Sequence, residues 1–380
     1  MERDFGLSED QRAIVGAVRE FVTEKAAPAA AEHEREHRYP WELFHQLGEM
    51  GLCGIPYDER YGGAGQPFLT YLAVLEEIAT GFFSLALELS VHHLSAFGVH
   101  RYGSEELKQR YLPKLFSGQW LGAYALSEAS SGSDAASLRT RAARDGNAYT
   151  LTGTKRFITS AGEADYYLVM ARTGGEGPKG ISAFVVEKGW DGFGFGKLEE
   201  KMGWNASPMR ELLFDGCRVP AGNLVGEEGE GFTIALAGLD SGRLGIAACS
   251  VGLAQAALDA ALGFARERQQ FGKPILEFQG IQFMLADMAT QVEASRRLYR
   301  EAARVRDAGL PDSLAASMAK LFASDAAMRV TTDAVQVHGG YGYMQEYPVE
   351  RYMREAKALQ IVEGTNQIQR MVIGRHLSGT

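Results

Sequence analysis

The sequence predicts a mainly α protein with an inserted β domain: helical over residues 1–120, β over 121–226, and a helical bundle over 227–380. Three observations predict it. Apolar residues in the first and last segments recur at helical spacing, the middle segment alternates Thr- and aromatic-rich runs with turn dipeptides, and long Ala-rich runs resume after "GEEGEGF".

At the N-terminus Ser8 and Gln11 form a capping-box pair, after which Ile14, Val15, Val18, Phe21 and Val22 share one helical face. "YGGAGQP" at 61–67 breaks the pattern, and a strongly apolar helix is expected over about 68–97. In the middle segment Asp145-Gly146 is a hairpin signal, and "ISAFVVEK" and "ELLFDGCRVP" are further strands. Beyond it, Ile281, Leu285, Met288, Val292 and Tyr299 make an apolar stripe suited to a bundle. The helix before that stripe is expected to stop at "FGKP", with Gly272 as its C-cap and Pro274 just beyond.

With 380 residues, 46% of them hydrophobic, the chain can bury a large core. Its formal net charge of -9 argues against nucleic-acid and anionic-membrane binding. No uninterrupted apolar run approaches the ~18 residues of a membrane span, and the N-terminus is charged from its second residue, so a soluble, intracellular protein is expected. Cys53, Cys217 and Cys249 are widely spaced and read as small buried hydrophobes. "HEREH" at 33–37 satisfies H-E-x-x-H, which would place His33 and His37 on zinc with Glu34 as base. Pro40 soon ends the helix, and Pro40 and Leu43 occupy the positions where a metzincin has Gly and His. The run is therefore read as a solvated, charged helix end, with no metal site.

Three stretches carry chemistry. "ALSEASSGSD" at 125–134 offers hydroxyl and backbone donors to an acceptor-rich cofactor or phosphate. "QVHGGYGYMQEYPVERYMRE" at 336–355 exposes backbone at Gly339 and Gly340. "IVEGTNQIQR" places Glu363 and Gly364 just before a helix whose capping pair is expected to be Asn366 and Gln369.

On these residues the chain resembles the acyl-CoA dehydrogenases. The family's small–aliphatic–Ser/Thr–Glu–x–x–small–Gly–Ser–Asp signature is met from Ala125 to Asp134, and its Gln–x–x–Gly–Gly–x–Gly–aromatic signature from Gln336 onward. "RFITSAGEAD", "KMGWNASPMRELLFDGCRVPAGNLVGEEGEGF", "GLDSGRLGIAA" and "RERQQFGKPILEFQ" lie between them in family order, so the resemblance, short- or medium-chain-like, covers essentially the whole chain. It implies an N-terminal helical domain, a middle β-barrel and a C-terminal four-helix bundle.

The resemblance also implies FAD held between subunits. Tyr124, Ala125, Leu126, Ser127, Gly132 and Ser133, with Phe157, Ile158 and Thr159, would line the isoalloxazine ring. Arg268, Phe271 and Gln279, with Gln336, Val337, His338, Gly339 and Gly340, would hold pyrophosphate and adenosine, largely those of a neighbouring subunit's FAD. Thr365, Asn366 and Gln367 would complete the cofactor site, and Ser133, Asp240, Arg243 and Gly364 match substrate or CoA contacts. Arg268, near a helix C-terminus, is favourable there without any ligand.

The implied reaction desaturates an acyl-CoA to a trans-2-enoyl-CoA, in fatty-acid β-oxidation or branched amino-acid catabolism. Glu363 would take the α-proton while a hydride leaves Cβ for flavin N5, and electrons would pass to an electron-transfer flavoprotein. Gly364 would leave room for the thioester, whose oxygen would be held by the Glu363 backbone N–H and a flavin hydroxyl. A dry pocket should raise the glutamate pKa, with the helix N-terminus opposing. Family branches that carry the base near "LDSGR" have an acid there, whereas this chain has Ser241 and Gly242, leaving Glu363 as the matching base. Phe157 and Val362 depart from the Trp and Tyr of many relatives. Phe82, Phe83, Leu85 and Leu87 fit either an acyl-pocket wall for a short or medium chain or plain core packing. A homotetramer, a dimer of dimers, is implied, located in the cytoplasm, or in an organelle matrix if a targeting peptide has been removed. The alternative on the same fold is a flavin oxidase or monooxygenase, with an H-E-x-x-H zinc protease or a non-catalytic scaffold more remote.

Overall fold

The computed structural model describes residues 4–379, so residues 1–3 and 380, at the outer ends of the first and third expected segments, lie outside it. Helices come first: α1 (Glu9–Phe21), α2 (Ala27–Glu36), α3 (Trp41–Glu49), α4 (Phe68–Gly81), α5 (Phe83–Tyr102) and α6 (Glu105–Phe116). Ser8 caps α1 as expected, its hydroxyl accepting from the Gln11 N–H while Gln11 Oε1 accepts from the Ser8 N–H at 2.9 Å. Val15, Val18 and Phe21 are buried on the resulting face. The expected single helix over 68–97 is two helices. The chain turns extended at Phe82 (φ -140°, ψ 91°), directly after Gly81, which packs so closely on Val22 that an added Cβ would lie 2.4 Å from it. Helical periodicity runs on through such a break because both halves are apolar.

The middle segment contains β1 (Gly122–Ala125), β2 (Arg141–Asp145), β3 (Ala148–Thr159), β4 (Tyr166–Arg172), β5 (Ile181–Glu187), β6 (Phe193–Phe195), β7 (Met209–Pro220) and β8 (Leu224–Val225). They form one sheet in the order β6-β7-β3-β2-β4-β5-β8, with β1 parallel to β4. Asp145-Gly146 makes the expected hairpin, with Asp145 opposite Ala148 and Gly146 at φ 59°.

The last segment begins with the long helix α7 (Gly231–Glu267), followed by β9 (Gln269–Gln270), β10 (Lys273–Pro274), α8 (Gln279–Asp307), α9 (Ser313–His338), α10 (Val349–Leu359) and α11 (Asn366–Ser378). Gly272 is not a helix cap. The helix stops at Glu267, Arg268 is already extended, and Phe271 (φ 52°) with Gly272 (φ 80°) forms the two-residue turn of the β9–β10 hairpin. Two successive left-handed residues suit such a hairpin turn, whose twist matches its strands. Leu285, Met288, Val292 and Tyr299 are buried along α8, and the Tyr299 hydroxyl donates to Glu76 of α4. Glu76 also accepts from Arg296 Nε at 2.7 Å, so a buried charged network ties the first helices to the bundle.

Two expectations about polarity change. The helix α7 is long and apolar enough to cross a membrane, because its Gly and Ser residues interrupt an apolar run without making it hydrophilic. It is a core helix, with 83% of its most apolar window buried inside the protein. The "HEREH" run is solvated only in part: Arg35, Glu36 and His37 are exposed, but His33 and Glu34 are buried. His33 Nδ1 lies 2.9 Å from the Arg38 carbonyl and His33 Nε2 lies 3.0 Å from Glu42, while buried Glu34 accepts from Ser84 and from the Asn205 and Ala206 N–H groups. His37 leaves the helix in the left-handed conformation (φ 54°), which breaks the i, i+4 face that a zinc pair needs. Cys53, Cys217 and Cys249 are buried free thiols.

Candidate active site

A cavity of about 1020 Å³ is lined by residues of the helical, β and bundle segments together. Glu363 lies in its wall, on the short connection between α10 and α11. The backbone there is held tightly. The Val362 N–H donates to Ala358, the Asn366 N–H to Gln360, and Glu363 and Gly364 adopt successive left-handed conformations at φ 53° and 90°. For a glutamate this conformation costs on the order of 1 kcal/mol and persists where surrounding contacts enforce it. Gln369 Nε2 donates to the Glu363 carbonyl at 3.2 Å and to the Gly364 carbonyl at 2.9 Å, and Lys320 Nζ donates to the same Gly364 oxygen at 3.0 Å. Thr365, not the expected Asn366–Gln369 pair, caps α11 by accepting from the Ile368 N–H. Both expected cap side chains are pulled away, Gln369 to those carbonyls and Asn366 to Lys320, Ser324 and Asp325 inside the bundle.

Neither Glu363 carboxylate oxygen has a hydrogen-bond partner, although both are buried. Burial pushes its pKa up to about 8, against the opposing pull of Lys320 and Arg243. A buried charge without a partner is expensive, so the group is poised between protonated and ionised near neutrality. The carboxylate fits only because residue 242 is glycine: a Cβ there would lie 2.0 Å from Glu363 Oε2.

The same cavity receives Asp240, Arg243 and Gly364. Arg243 donates to Asp240 Oδ1 at 2.6 Å, and Ser313 donates to the same oxygen at 3.1 Å. Burial raises the Asp240 pKa against the pull of Arg243, while Arg243 Nε is buried without a partner. Gly364 is needed for its left-handed backbone, and an added Cβ would also come within 2.8 Å of the Gln369 Nε2 that clamps the turn.

The β segment supplies a second wall. Tyr124, Leu126, Ser127, Gly132, Ser133, Phe157, Ile158 and Thr159 all line the cavity; Ala125 is buried behind them. The "ALSEASSGSD" loop is braced from within. Glu128 accepts from the Arg139 and Thr140 N–H groups at 2.6 and 2.9 Å and from buried Lys155 Nζ at 2.8 Å, and Lys155 also donates to the Leu126 carbonyl. Burial works against the Glu128 charge, but Lys155 and the two N–H groups outweigh it and hold its pKa below the usual value. Phe157 is left-handed (φ 61°) and 57% exposed, presenting its ring to the cavity with Arg156 over it at 5.2 Å. Of the apolar candidates, Leu87 lines the cavity with Val91 and Leu94, whereas Phe82, Phe83 and Leu85 are core.

Arg268, Val337, His338, Gly339 and Gly340 line a separate cavity of about 450 Å³ that shares no residue with the first. His338 stacks on Phe264 there, and an added Cβ at Gly339 or Gly340 would meet nothing within 4 Å. Phe271, Gln279 and Gln336 lie outside both cavities, with Phe271 93% exposed; Asn366 and Gln367 also line neither. Sequence reasoning missed Lys320, Gln369 as a clamp, Ser313, and the contact between Gly242 and Glu363. The available signal was Lys320 itself, a lone cation in the run "SLAASMAKLFASDAAM".

Three family descriptions match the chain in order: "Acyl-CoA dehydrogenase, N-terminal domain" over residues 8–119, "middle domain" over 123–217 and "C-terminal domain" over 229–378. The chain belongs to the acyl-CoA dehydrogenase family. It is 48% identical over 375 residues to an acyl-CoA dehydrogenase of Bacillus subtilis, covering 98% of this chain and 99% of the relative. The structure of butyryl-CoA dehydrogenase from Megasphaera elsdenii superposes with a TM-score of 0.96 at 44% identity, covering 99% of this chain and 100% of the other. A chain from a structure described as the electron transferring flavoprotein of Acidaminococcus fermentans superposes with a TM-score of 0.97 at 48% identity, over 98% of this chain and 99% of that one. The chain is thus a flavin-dependent oxidoreductase of the acyl-CoA dehydrogenase type. The family's FAD fits the residues present: one cavity wall combines the Phe157 ring with hydroxyls at Ser127, Ser133 and Thr159, and an added Cβ at Gly132 would meet nothing within 4 Å.

Proposed function

We propose that this enzyme converts a short saturated acyl-CoA to its trans-2-enoyl-CoA, with Glu363 as the base. The observation that carries this reading is the Glu363 carboxylate, buried without a partner in a cavity wall and with its pKa pushed up to about 8. A base must be within reach of the substrate and must not be spent on protein contacts. Glu363 accepts the α-proton on a carboxylate oxygen. Its backbone N–H, outside the α11 ladder, is the donor for the thioester oxygen as negative charge develops there. Ser133, Asp240, Arg243 and Gly364 contact the acyl-CoA, with Asp240 and Arg243 joined at 2.6 Å.

The residues from Tyr124 to Ser133, with Phe157, Ile158 and Thr159 and with Thr365 to Gln367, hold the flavin. Arg268, Phe271, Gln279 and Gln336 to Gly340 hold the pyrophosphate and adenosine of a neighbouring subunit's FAD. When bound, FAD supplies the acceptor for the hydride that leaves Cβ. Leu87, Val91 and Leu94 close the acyl end, and the likeness to a butyryl-CoA dehydrogenase supports a short chain. Electrons pass to an electron-transfer flavoprotein, a partner supported by the likeness to a chain in such a structure. The family resemblance supports a homotetramer working in the cytoplasm, or in an organelle matrix if a targeting peptide has been removed.

The test is anaerobic titration with saturated acyl-CoAs of graded length and branching. Wild type should lose its flavin absorbance most readily with short chains. Glu363→Gln should keep FAD and bind acyl-CoA, yet fail to bleach. Normal bleaching by that variant would remove Glu363 from the role of base.

A further inference from the structure

Lys320 is fully buried in α9, and no carboxylate is hydrogen-bonded to its ammonium among the described residues. Among the described residues its acceptors are the Gly364 carbonyl at 3.0 Å and Asn366 Oδ1 at 2.8 Å, which flank Thr365 at the entry to α11. Burying an unpaired ammonium is costly, and a neutral residue could fill the same volume, so the core gains nothing from the charge itself. What the charge reaches is the base. Gly364 follows Glu363 directly, and both sit in left-handed conformations that the surroundings must enforce.

We propose that Lys320 is a positioning residue for the dehydrogenation: its ammonium clamps the Glu363-Gly364 turn so that the carboxylate faces the cavity, and its positive charge favours the ionised base. The proposal rests on Glu363 being that base. The clamp is shared, since Gln369 Nε2 reaches the same Gly364 oxygen at 2.9 Å, so removing Lys320 leaves the turn one donor. The electrostatic share is set by the groups facing Glu363: Lys320 from α9, Arg243 and Cys249 from α7, Tyr71 from α4 and Tyr124 from β1, while Asp325 of α9 also acts on Lys320. Burial keeps Cys249, Tyr71 and Tyr124 neutral, so Lys320 and Arg243 are the cations the carboxylate feels. Burial brings the Lys320 ammonium down to about 8, so its charge is present at neutral pH and fades above it.

The experiment compares wild type with Lys320→Gln, which can still donate without a charge, Lys320→Met, which cannot donate, and Lys320→Arg. The first readout is the pH dependence of anaerobic flavin bleaching by butyryl-CoA. Losing the cation disfavours the carboxylate, so the acid limb should move to higher pH by about one unit in Lys320→Gln, slowing bleaching about tenfold below the limb. Lys320→Met should be slower still at every pH, and Lys320→Arg should restore the limb. The second readout needs no flavin: in stripped protein, the carboxyl infrared band lost in Glu363→Gln gives the Glu363 midpoint, which should rise by the same amount. An unchanged limb and an unchanged infrared midpoint in Lys320→Gln would overturn the proposal. So would failure of both neutral variants to fold while Lys320→Arg folds, since that would make Lys320 a folding determinant. If Glu363→Gln bleaches normally, the base assignment fails instead, and the infrared midpoint still reports whether Lys320 tunes that carboxyl.

Discussion

Gly242 and Glu363 form a paired requirement: a single Cβ on residue 242 would lie 2.0 Å from Glu363 Oε2 and 2.7 Å from its carboxyl carbon. The glycine on α7 and the glutamate before α11 are distant in sequence, and a side chain on residue 242 would have to push the Glu363 carboxylate out of its present position. A chain that carried its acid at residue 242 would have no space for the carboxylate at 363.

Gly242→Ala should therefore disable the enzyme without unfolding it. The methyl forces the carboxylate aside by at least an ångström, and displacements of that size in a reacting group cost about a hundredfold in rate. The check is anaerobic bleaching of the FAD-loaded variant, with visible absorbance confirming that flavin is retained. A rate within a few-fold of wild type would mean that the Glu363 side chain has another productive position.

The share of stability held by three buried carboxyls should fall as pH rises from mildly acidic to mildly basic, against the opposite share of buried His92 and His93, whose pKa values burial lowers to about 4 and about 3. Burial raises Glu88 to about 7 and Glu355 and Glu363 to about 8, from an ordinary value of 4.5. Each folded carboxyl holds its proton where the unfolded one has released it, so the folded state binds more protons over this interval. The stabilising contribution is complete below about pH 4.5 and is lost as pH passes each folded value, ending near 8. Glu363→Gln removes one share. Its Tm should gain on wild type steadily between those limits and stay level above them, as differential scanning fluorimetry across pH would reveal.

The Lys155–Glu128 pair should act on stability and cofactor together. Lys155→Met leaves Glu128 buried with only its two backbone donors and frees the Leu126 carbonyl, in a loop that lines the cavity. Breaking one side of a buried pair costs about 3 kcal/mol or more. Denaturant unfolding should show that loss, and flavin fluorescence during dialysis should show faster release of FAD. Replacing both partners with apolar residues should recover part of the stability, because the stranded charge is then gone.

Much of the site was legible because its chemistry lies in short, contiguous runs. Glu363-Gly364, the Ser/Gly loop from Ala125 to Asp134 and the Phe157-Ile158-Thr159 stretch are each local, and the structure gathers residues of all three around one cavity. The hairpin at Asp145-Gly146 and the cap at Ser8 follow from backbone preferences that act over a few residues. The failures share a different cause. Asn366 and Gln369 have the right spacing for a cap, but Lys320, Asp325 and the Glu363-Gly364 carbonyls compete for them from elsewhere in the chain. His33 and Glu34 read as solvated until Glu42, Ser84 and the Asn205-Ala206 backbone close over them.

By itself, then, the sequence determined the class of fold, the order of helical and β segments and the reacting residue types, since periodicity, turn chemistry and functional groups are properties of neighbouring residues. Only the tertiary structure decided that Gly242 makes room for Glu363, that Lys320 and Gln369 clamp the turn beside it, and that the carboxylate stays unpartnered. Those facts depend on which side chains are desolvated together, and desolvation is set by packing between elements that spacing along the chain does not reveal.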